Sequence, residues 1–405
     1  MSQTREPTKA QPPTLGKIKN NHLPDDMVFN ILARQPVKSL IRLRCVSKSC
    51  NSLITSPYFI STHLISYNNN DHDNKDRGYI LDMSCFNSPS PTNRPVIMFY
   101  CDHEFDKIFQ FEVPLNLPSH HATFLVGLCN GILCLNFCPP RTMINVIYVW
   151  NPNIRKLKRL PDPCESQSHL VSLGFGYQSK CIDYKVVKIL RCFTSQLEVE
   201  VYSSKSDSWR RVGFSFRTNV EFEIHHNYYL PIPFFGGALH WLVDTIPDEE
   251  NNNKSEMILS FDVNNETFEE LAPPDHCLDG EHPGRCLMLF RGKLALIRFV
   301  SVGEHKFTCI CVIKEYGTHK SWNKPLVVPK KYDGFNGFTK CGLILSHEQF
   351  WMSSNGELKL RKKTKYVLID PETFREKRVR IQNISFVATF MESLALLDGA
   401  NVITY

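Results

Sequence analysis

Histidine and cysteine are the residues of this chain best suited to metal or nucleophilic chemistry, and their spacing argues against both. Histidine stands in two adjacent pairs, His120-His121 and His225-His226, and neighbours on a strand point to opposite faces. Neither pair therefore makes a metal clamp alone. Cys129, Cys134 and Cys138, and Cys309-x-Cys311, lack the Cys-x2-Cys spacing of a zinc site. The acid pairs Glu249-Glu250 and Glu269-Glu270 read as solvated charge. The chain has no Gly-x-Ser-x-Gly turn, no phosphate loop and no His-Glu-x-x-His. These residues imply structural or surface roles, no catalytic residues, no metal and no cofactor. A binding module is the better expectation than an enzyme, and a propeller oxidase or hydrolase is the weakest of the function classes considered.

The elements that would carry such a module differ along the chain. With 405 residues, 42% of them hydrophobic, two or three domains and a folded core are expected. No apolar run approaches the roughly 18 residues of a membrane span. Residues 1–20 are rich in Pro, Lys and Asn and lack an apolar signal core, so a disordered tail and a cytoplasmic or nuclear location are expected. The 15 cysteines are then reduced thiols. The sequons at Asn253, Asn265 and Asn383 lack the compartment that would use them.

Charge is unevenly placed. Residues 1–60 hold nine Lys or Arg against three acids, which accounts for the whole net charge of +6 and leaves the rest balanced. Such a field fits either solvated helix faces or steering toward an acidic partner. Nucleic acid is not expected, because these basic residues are not interleaved with stacking aromatics.

Leu23 to Phe59 is the one stretch that reads as helical throughout. Pro24 opens a first helix, Asp25 and Asp26 complement its positive end, and Met27, Val28, Ile31 and Leu32 recur at helical spacing. Pro36 starts a second helix with Leu40 and Leu43 on its apolar side. A third, with Cys50, Leu53 and Ile54, closes before Pro57. A connecting helix is expected near Phe59 to Tyr67, giving a helical unit with its linker over 21–64. So short a span cannot bury a self-sufficient core; it must lean on the rest of the chain or on another protein.

Residues 65–405 read as a second, all-β unit. One motif recurs as VIYVWNPNIRKLKRL (146–160), VEVYSSKSDSWRRV (199–212) and ILSFDVNNETFEEL (258–271). In these, Trp150 and Leu157, Tyr202 and Trp209, and Phe261 and Phe268 are each seven apart, as anchors on one face of a hairpin would be. A second motif recurs as LCNGILCLNF, FFGGALHWLVD, LFRGKLALIRF and, without its glycine, MESLALLD (391–398). Taking Gly131, Tyr184, Gly237, Gly292, Ile344 and Ser393 as anchors, the steps are 53, 53, 55, 52 and 49. A period near 50 with about four strands fits a kelch-like β-propeller. Five to seven blades are expected, six favoured; an irregular β-sandwich or barrel is the alternative. No unit is visible from 65 to 125. Trp241 and Trp351 read as blade-core anchors. The basic runs KLRKKTKY (359–366) and REKRVRI (375–381) read as an exposed blade edge, where Lys discourages edge pairing. Function on such a scaffold belongs to the polar loops between units, Pro163 to Ser168, Pro247 to Ser255 and Asp275 to Gly284.

Leu23-Pro24, Ile31-Leu32, Pro36-Val37-Lys38-Ser39-Leu40, Arg44-Cys45-Val46-Ser47-Lys48 and the later SCNSLITSPYF resemble the F-box motif of plant F-box proteins. Cys50 stands where that family commonly has Trp. GLCNGILCL, VWNPNIRKLKRLP, GFGYQSKCIDYKVVKI, VEVYSSKSDSWRRV, GGALHWL and VIKEYGTHKSW resemble the F-box-associated, kelch-like domain joined to it. The resemblance implies the substrate-recognition subunit of an SCF ubiquitin ligase. Its F-box docks on the acidic adaptor Skp1, linked to a cullin–RING core, and its β domain captures a protein for ubiquitination. It also implies that Leu23, Pro24, Ile31, Leu32, Pro36, Leu40 and Val46 bury against the adaptor, with Leu53, whose place also suits the chain's own core. The substrate-binding residues are unknown from sequence. The other function class is a glycan- or protein-binding propeller with a vestigial F-box.

Overall fold

The structure, a computed structural model, describes residues 23–69, 79–82, 96–101, 107–112, 122–138, 145–162, 169–191, 197–213, 222–224, 230–245, 255–275, 278–316, 322–354, 357–381, 387–395 and 403–404.

Four helices come first: α1 (Asp25–Ala33), α2 (Val37–Leu43), α3 (Lys48–Thr55) and α4 (Pro57–Asn69). Each boundary has a local cause. Pro24 and Pro36 hold the extended backbone that precedes α1 and α2. The Ser47 side chain accepts a hydrogen bond from the Cys50 N–H, satisfying one of the free donors at the start of α3. Ser56 ends α3, and its hydroxyl accepts from the Phe59 N–H to start α4, with Pro57 as that helix's first residue. The linker is thus one helix that runs past residue 64, to Asn69, and packs on α1 and α3.

The remaining strands form six sheets. Blade 2 holds Ala122–Cys129, Ile132–Cys138, Val146–Asn151 and Lys156–Arg159, from inside outward; blade 3 holds His169–Gln178, Asp183–Arg191, Leu197–Ser203 and Ser208–Val212. In blade 4, Phe222–Ile224 and Phe234–Phe235 both pair with Ala238–Thr245, followed by Ser255–Asp262 and Thr267–Leu271. Blade 5 holds Glu281–Phe290, Lys293–Val302, His305–Val312 and Leu326–Pro329; blade 6 holds Gly334–Phe338, Ile344–Ser354, Glu357–Ile369 and Glu376–Val379. Blade 1 combines the late strand Val387–Phe390, innermost, with the early strands Tyr79–Asp82, Val96–Cys101 and Lys107–Glu112. Pairing of Ile80 with Thr389 closes the ring between distant parts of the chain. Ala122–Cys129, His169–Gln178, Ala238–Thr245, Glu281–Phe290, Gly334–Phe338 and Val387–Phe390 follow one another in that order as neighbours. The protein is an N-terminal helical unit followed by a six-bladed β-propeller.

Both sequence repeats have a structural meaning. Trp150 pairs with Leu157, Tyr202 with Trp209 and Phe261 with Phe268, each directly across the hairpin of a blade's third and fourth strands. The four-residue connections close alike: Asn151 Oδ1 accepts from the Asn153 N–H and Asp262 Oδ1 from the Asn264 N–H, at 3.0 and 2.7 Å. The second repeat marks the turn between first and second strands. In blades 2, 4 and 5 that turn is a two-residue connection with positive φ at both positions, as at Asn130-Gly131 and Arg291-Gly292. MESLALLD departs from this reading: Met391 to Ala395 follow the innermost strand of blade 1 without forming a strand, and Leu396 to Asp398 lie outside the described residues. The unreadable stretch from 65 to 125 supplies three strands of blade 1, which takes its fourth from the far end of the domain and so has no continuous repeat unit.

Packing between blades explains the strand glycines. A Cβ on Gly174, in the innermost strand of blade 3, would come within 2.9 Å of the Trp241 ring in blade 4, so glycine is what lets the indole lie there. Trp241 is fully buried among Val187, Val201, Leu239 and Phe261, and its Nε1–H donates to Ser172 Oγ at 2.9 Å. It is the blade-core anchor expected; the Trp351 side chain lies outside the described residues. Buried ion pairs also cross between blades. Lys185 of blade 3 reaches Glu266 of blade 4 at 2.6 Å, and Glu256 of blade 4 takes Arg285 and Arg298 of blade 5 at 3.1 and 2.9 Å.

Candidate functional site

The helical unit has a core of its own. Leu32, Ala33, Val37, Leu40, Leu53, Ile54 and Phe59 are buried together, with Val28, Phe29, Ile41, Leu43, Cys50 and Ile60 packed around them. His63 of α4 is buried against Phe59 and donates from Nε2 to the Gln35 carbonyl at 2.9 Å, tying α4 to the turn between α1 and α2. Burial lowers its pKa, against an opposing contribution from that carbonyl.

Outside this core lies an apolar surface with nothing of the described chain on it. Leu23, Met27 and Ile31 recur at four-residue spacing along α1 and are 53%, 51% and 46% exposed. Val46, in the turn between α2 and α3, is 71% exposed, and Pro24 and Pro36 are exposed as well. Arg34, Lys38, Arg42 and Lys48 are exposed on the same small unit. Of the residues expected to meet a partner, Leu23, Pro24, Ile31, Pro36 and Val46 are therefore at the surface. Leu32, Leu40 and Leu53 are not: they are buried in the unit's own core. The periodicity that marks α1 as amphipathic cannot tell its two apolar faces apart, so it does not separate exposed Met27 from buried Leu32.

The helices also lean on the propeller. Leu394, 1% exposed, belongs to the helical core, and Ile154 of the connection between the outer strands of blade 2 packs against it. Glu392 Oε2 accepts from the Val37 N–H at 3.2 Å, at the start of α2. The same segment is fixed to blade 2. Asn151, fully buried, donates from Nδ2 to the Ser393 and Ala395 carbonyls at 2.9 and 2.8 Å. Gly131 leaves room for it, since a Cβ there would stand 2.5 Å from the Met391 carbonyl oxygen. Residues 391–395 thus touch the ring closure, blade 2 and the helical unit at once.

This contact assigns the helices to one face. Turns between first and second strands and between third and fourth strands share one end of an antiparallel blade. Ile154 and Gly131 lie in turns at that end, and Leu394 follows the innermost strand of blade 1 out of it. The opposite end carries longer connections in most blades, among them 139–145, 160–168, 213–221 and 246–254, while blade 5 has a two-residue turn there. The expected binding loops 163–168 and most of 247–255 belong to that end and lie outside the described residues.

Elsewhere the reactive residues are packed away. Cys309 and Cys311 are buried in the core of blade 5, and burial pushes the Cys129 and Cys286 thiols up to about 12. His240 is buried under Tyr316. The Pro233 carbonyl can only accept, so the ring proton sits on Nδ1 and Nε2 accepts from the Tyr316 hydroxyl at 2.9 Å; burial brings this histidine down to about 4. His120-His121 and His225-His226 lie outside the described residues. Among the described residues, no group of three or more His, Cys, Asp or Glu is placed to hold a metal ion, and no helix is long and apolar enough to cross a membrane.

Comparison with known proteins agrees with both halves of the molecule. The chain is 27% identical over 325 residues to the F-box/kelch-repeat protein At3g23880 of Arabidopsis thaliana, covering 76% of this chain and 80% of that one. It is 26% identical over 390 residues to the Arabidopsis thaliana F-box protein CPR1, covering 89% and 85%. Among solved structures, an ulvan lyase of polysaccharide lyase family 25 overlays with a TM-score of 0.36 at 10% identity, covering 78% of this chain and 84% of that one. A likeness that weak carries no argument. The F-box domain model matches residues 21–62, over α1 to α3 and the first turns of α4, and the F-box associated beta propeller domain model matches residues 96–395. The chain belongs to the plant F-box proteins with an F-box-associated β-propeller.

Proposed function

We propose that the protein is the substrate-recognition subunit of an SCF ubiquitin ligase, docking a Skp1-type adaptor through the helical unit and presenting a target protein on the propeller. The observation that carries this reading is the Leu23–Met27–Ile31 stripe with Val46. These side chains lie outside a helical core that is already complete, so a second protein is the natural cover for them. Exposed Arg34, Lys38, Arg42 and Lys48 favour approach by an acidic surface. Membership of the F-box family supports the same partner. Nothing in this arrangement transfers ubiquitin. The protein acts by proximity, holding target lysines near a charged conjugating enzyme at raised effective concentration. Fixing the helices to one face of the propeller leaves the long-loop face free for the target.

Co-purification with Skp1 tests the reading. Met27→Asp with Ile31→Asp places charge on the exposed stripe without entering the core, and should abolish the complex while leaving the fold intact. Undiminished binding by that double variant would remove the stripe from the interface, and a wild-type chain that failed to bind Skp1 would overturn the proposal.

A further inference from the structure

Among the described residues, blade 2 alone carries a strand beyond its fourth. The last strand of the chain, Ile403–Thr404, lies antiparallel along the outer side of Lys156–Arg159, with Ile403 opposite Leu157 and Thr404 opposite Lys156. The outer strands of the other blades have no such neighbour among the described residues. In blade 6 that strand, Glu376–Val379, is the exposed edge expected of REKRVRI, while KLRKKTKY lies one strand further in.

Burial along the outer strands follows the same difference. Lys156 and Lys158 are half-buried and Leu157 between them is fully buried. Ser208, Trp209 and Arg210 hold the same places in blade 3, and Thr267, Phe268 and Glu269 in blade 4. There the outer two residues are exposed and the aromatic is only half-buried. Ile403 also extends a row of directly opposite apolar residues across blade 2, from Leu133 to Trp150 to Leu157. The edge therefore takes an extended segment with a β-branched apolar residue opposite Leu157.

Two further observations set the chemistry and the hold of this site. Its cations need no acid from a ligand, because Lys158 pairs with Asp207 at 2.9 Å and Arg159 with Asp162 at 2.6 Å. The strand seated there, within ANVITY, has no charged side chain. It is also short. It pairs with Lys156 and Leu157, and among the described residues nothing continues the ladder along Lys158 and Arg159. Each cross-strand pair contributes little against the cost of ordering the segment that makes it, so a longer strand along the whole edge outcompetes this one.

We propose that the outer edge of blade 2 is a strand-acceptor site, filled by the chain's own last strand and open to exchange with an extended, uncharged segment of another protein that places Ile or Val opposite Leu157. An edge strand offers its backbone N–H and C=O groups to such a segment, and the apolar position supplies selectivity. The connection leading into this edge carries Ile154 to the helical core, so an exchanged segment starts beside the helical unit. This goes beyond the receptor reading and does not rest on it.

A labelled peptide of residues 399–405, GANVITY, tests the site by fluorescence anisotropy on the full chain. Ile403→Pro with Thr404→Pro removes both backbone donors of the seated strand and empties the edge. That variant should bind the peptide about tenfold or more tightly than wild type, whose edge is already filled at high effective concentration. Ile403→Gly, a milder loosening of the same strand, should fall between the two. A peptide carrying the two prolines should bind about tenfold or more weakly than the native one. Hydrogen exchange of the proline variant should show added protection on peptide binding in Lys156–Arg159 and none in Ser208–Val212. Equal affinity for wild type and both variants would overturn occupancy by the last strand, and equal binding of the proline peptide would overturn strand addition. Protection elsewhere than Lys156–Arg159 would overturn the site. A wild-type chain that is dimeric by light scattering, and monomeric with both prolines in place, would assign the edge to the last strand of a second copy instead. The assay contains no Skp1, so failure here leaves adaptor docking untouched, and failure of adaptor docking leaves this result standing.

Discussion

Ile54 of the helical unit and Trp241 of the propeller are both fully buried, but the cores around them are built differently. Trp241 lies between blades 3 and 4, in a core drawn from those two sheets, and comparable clusters join blades 2 and 3 and blades 4 and 5. Ile54 lies in a core of four short helices that is completed by Leu394 and Ile154 of the propeller. The β half is self-sufficient; the α half borrows. It also leaves Leu23, Met27, Ile31 and Val46 exposed. One unit is closed on itself; the other is joined to it and keeps an exposed apolar stripe.

The sharpest way to break this comparison is to damage the self-sufficient half. Trp241→Ala should cost about 3–5 kcal/mol, through lost burial and a cavity between blades. All five tryptophans lie at or beyond Trp150, so tryptophan fluorescence reports the propeller alone and helical circular dichroism reports the F-box unit. Because the helices borrow from the propeller, both transitions should move together in this variant. A helical transition left at its wild-type position would show that the F-box unit stands alone.

Acid should separate the halves by degree. His240 in the propeller is held neutral down to about 4, against an ordinary value of 6.5, and His63 in the helices is lowered in the same sense. A histidine whose folded pKa is depressed binds fewer protons folded than unfolded. Its contribution is therefore intact above pH 6.5 and is lost as pH falls from there toward the folded value. For His240 that loss amounts to roughly 3 kcal/mol by pH 4. His240→Phe should flatten the acid side of the fluorescence-detected stability profile between pH 6.5 and 4. An unchanged slope would place the acid sensitivity elsewhere.

Much of this architecture was legible in the sequence, and the parts that were not share a common cause. The seven-residue spacing of Trp150 and Leu157 is a local property of one hairpin, and so is the Asn130-Gly131 turn; both survive in a single sequence. Blade 1 does not, because its strands come from residues 79–112 and 387–390 and no local pattern joins them. The same holds for the exposed apolar stripe of the helical unit. Helical periodicity marks Met27, Ile31, Leu32 and Leu40 alike as apolar, and only tertiary packing divides them into Met27 and Ile31 outside and Leu32 and Leu40 inside. The Lys185–Glu266 and Arg298–Glu256 pairs were invisible too, since a charge in a strand pattern reads as surface until the next blade is in place.

The borrowed part of the helical core should respond on its own. Leu394→Ala removes a buried side chain that the propeller lends to the F-box, at a cost of about 2 kcal/mol. The helical transition should shift while tryptophan fluorescence stays near wild type, the reverse of the coupled loss expected for Trp241→Ala. If both shifted equally, residues 391–395 would matter chiefly for closing the ring, through Asn151 and Gly131, and the helices would gain little from them.

The smallest effect distinguishes how that loan is held. Glu392 accepts the Val37 N–H at the start of α2, where Pro36 has already fixed the backbone and no side chain of α2's own caps the helix. A donor at this position without an acceptor is one of the free N–H groups that every helix start must satisfy, here by a residue 355 positions away in sequence. Glu392→Ala should cost about 1 kcal/mol, the usual net value of one such bond, and only in the helical transition. Glu392→Gln keeps an acceptor oxygen and gives up the charge. If the contact works as a hydrogen bond, the Gln variant should lie close to wild type at all salt concentrations. If it works as a charge at the positive end of α2, Gln should fall as far as Ala, and added salt should erase the difference between wild type and both variants.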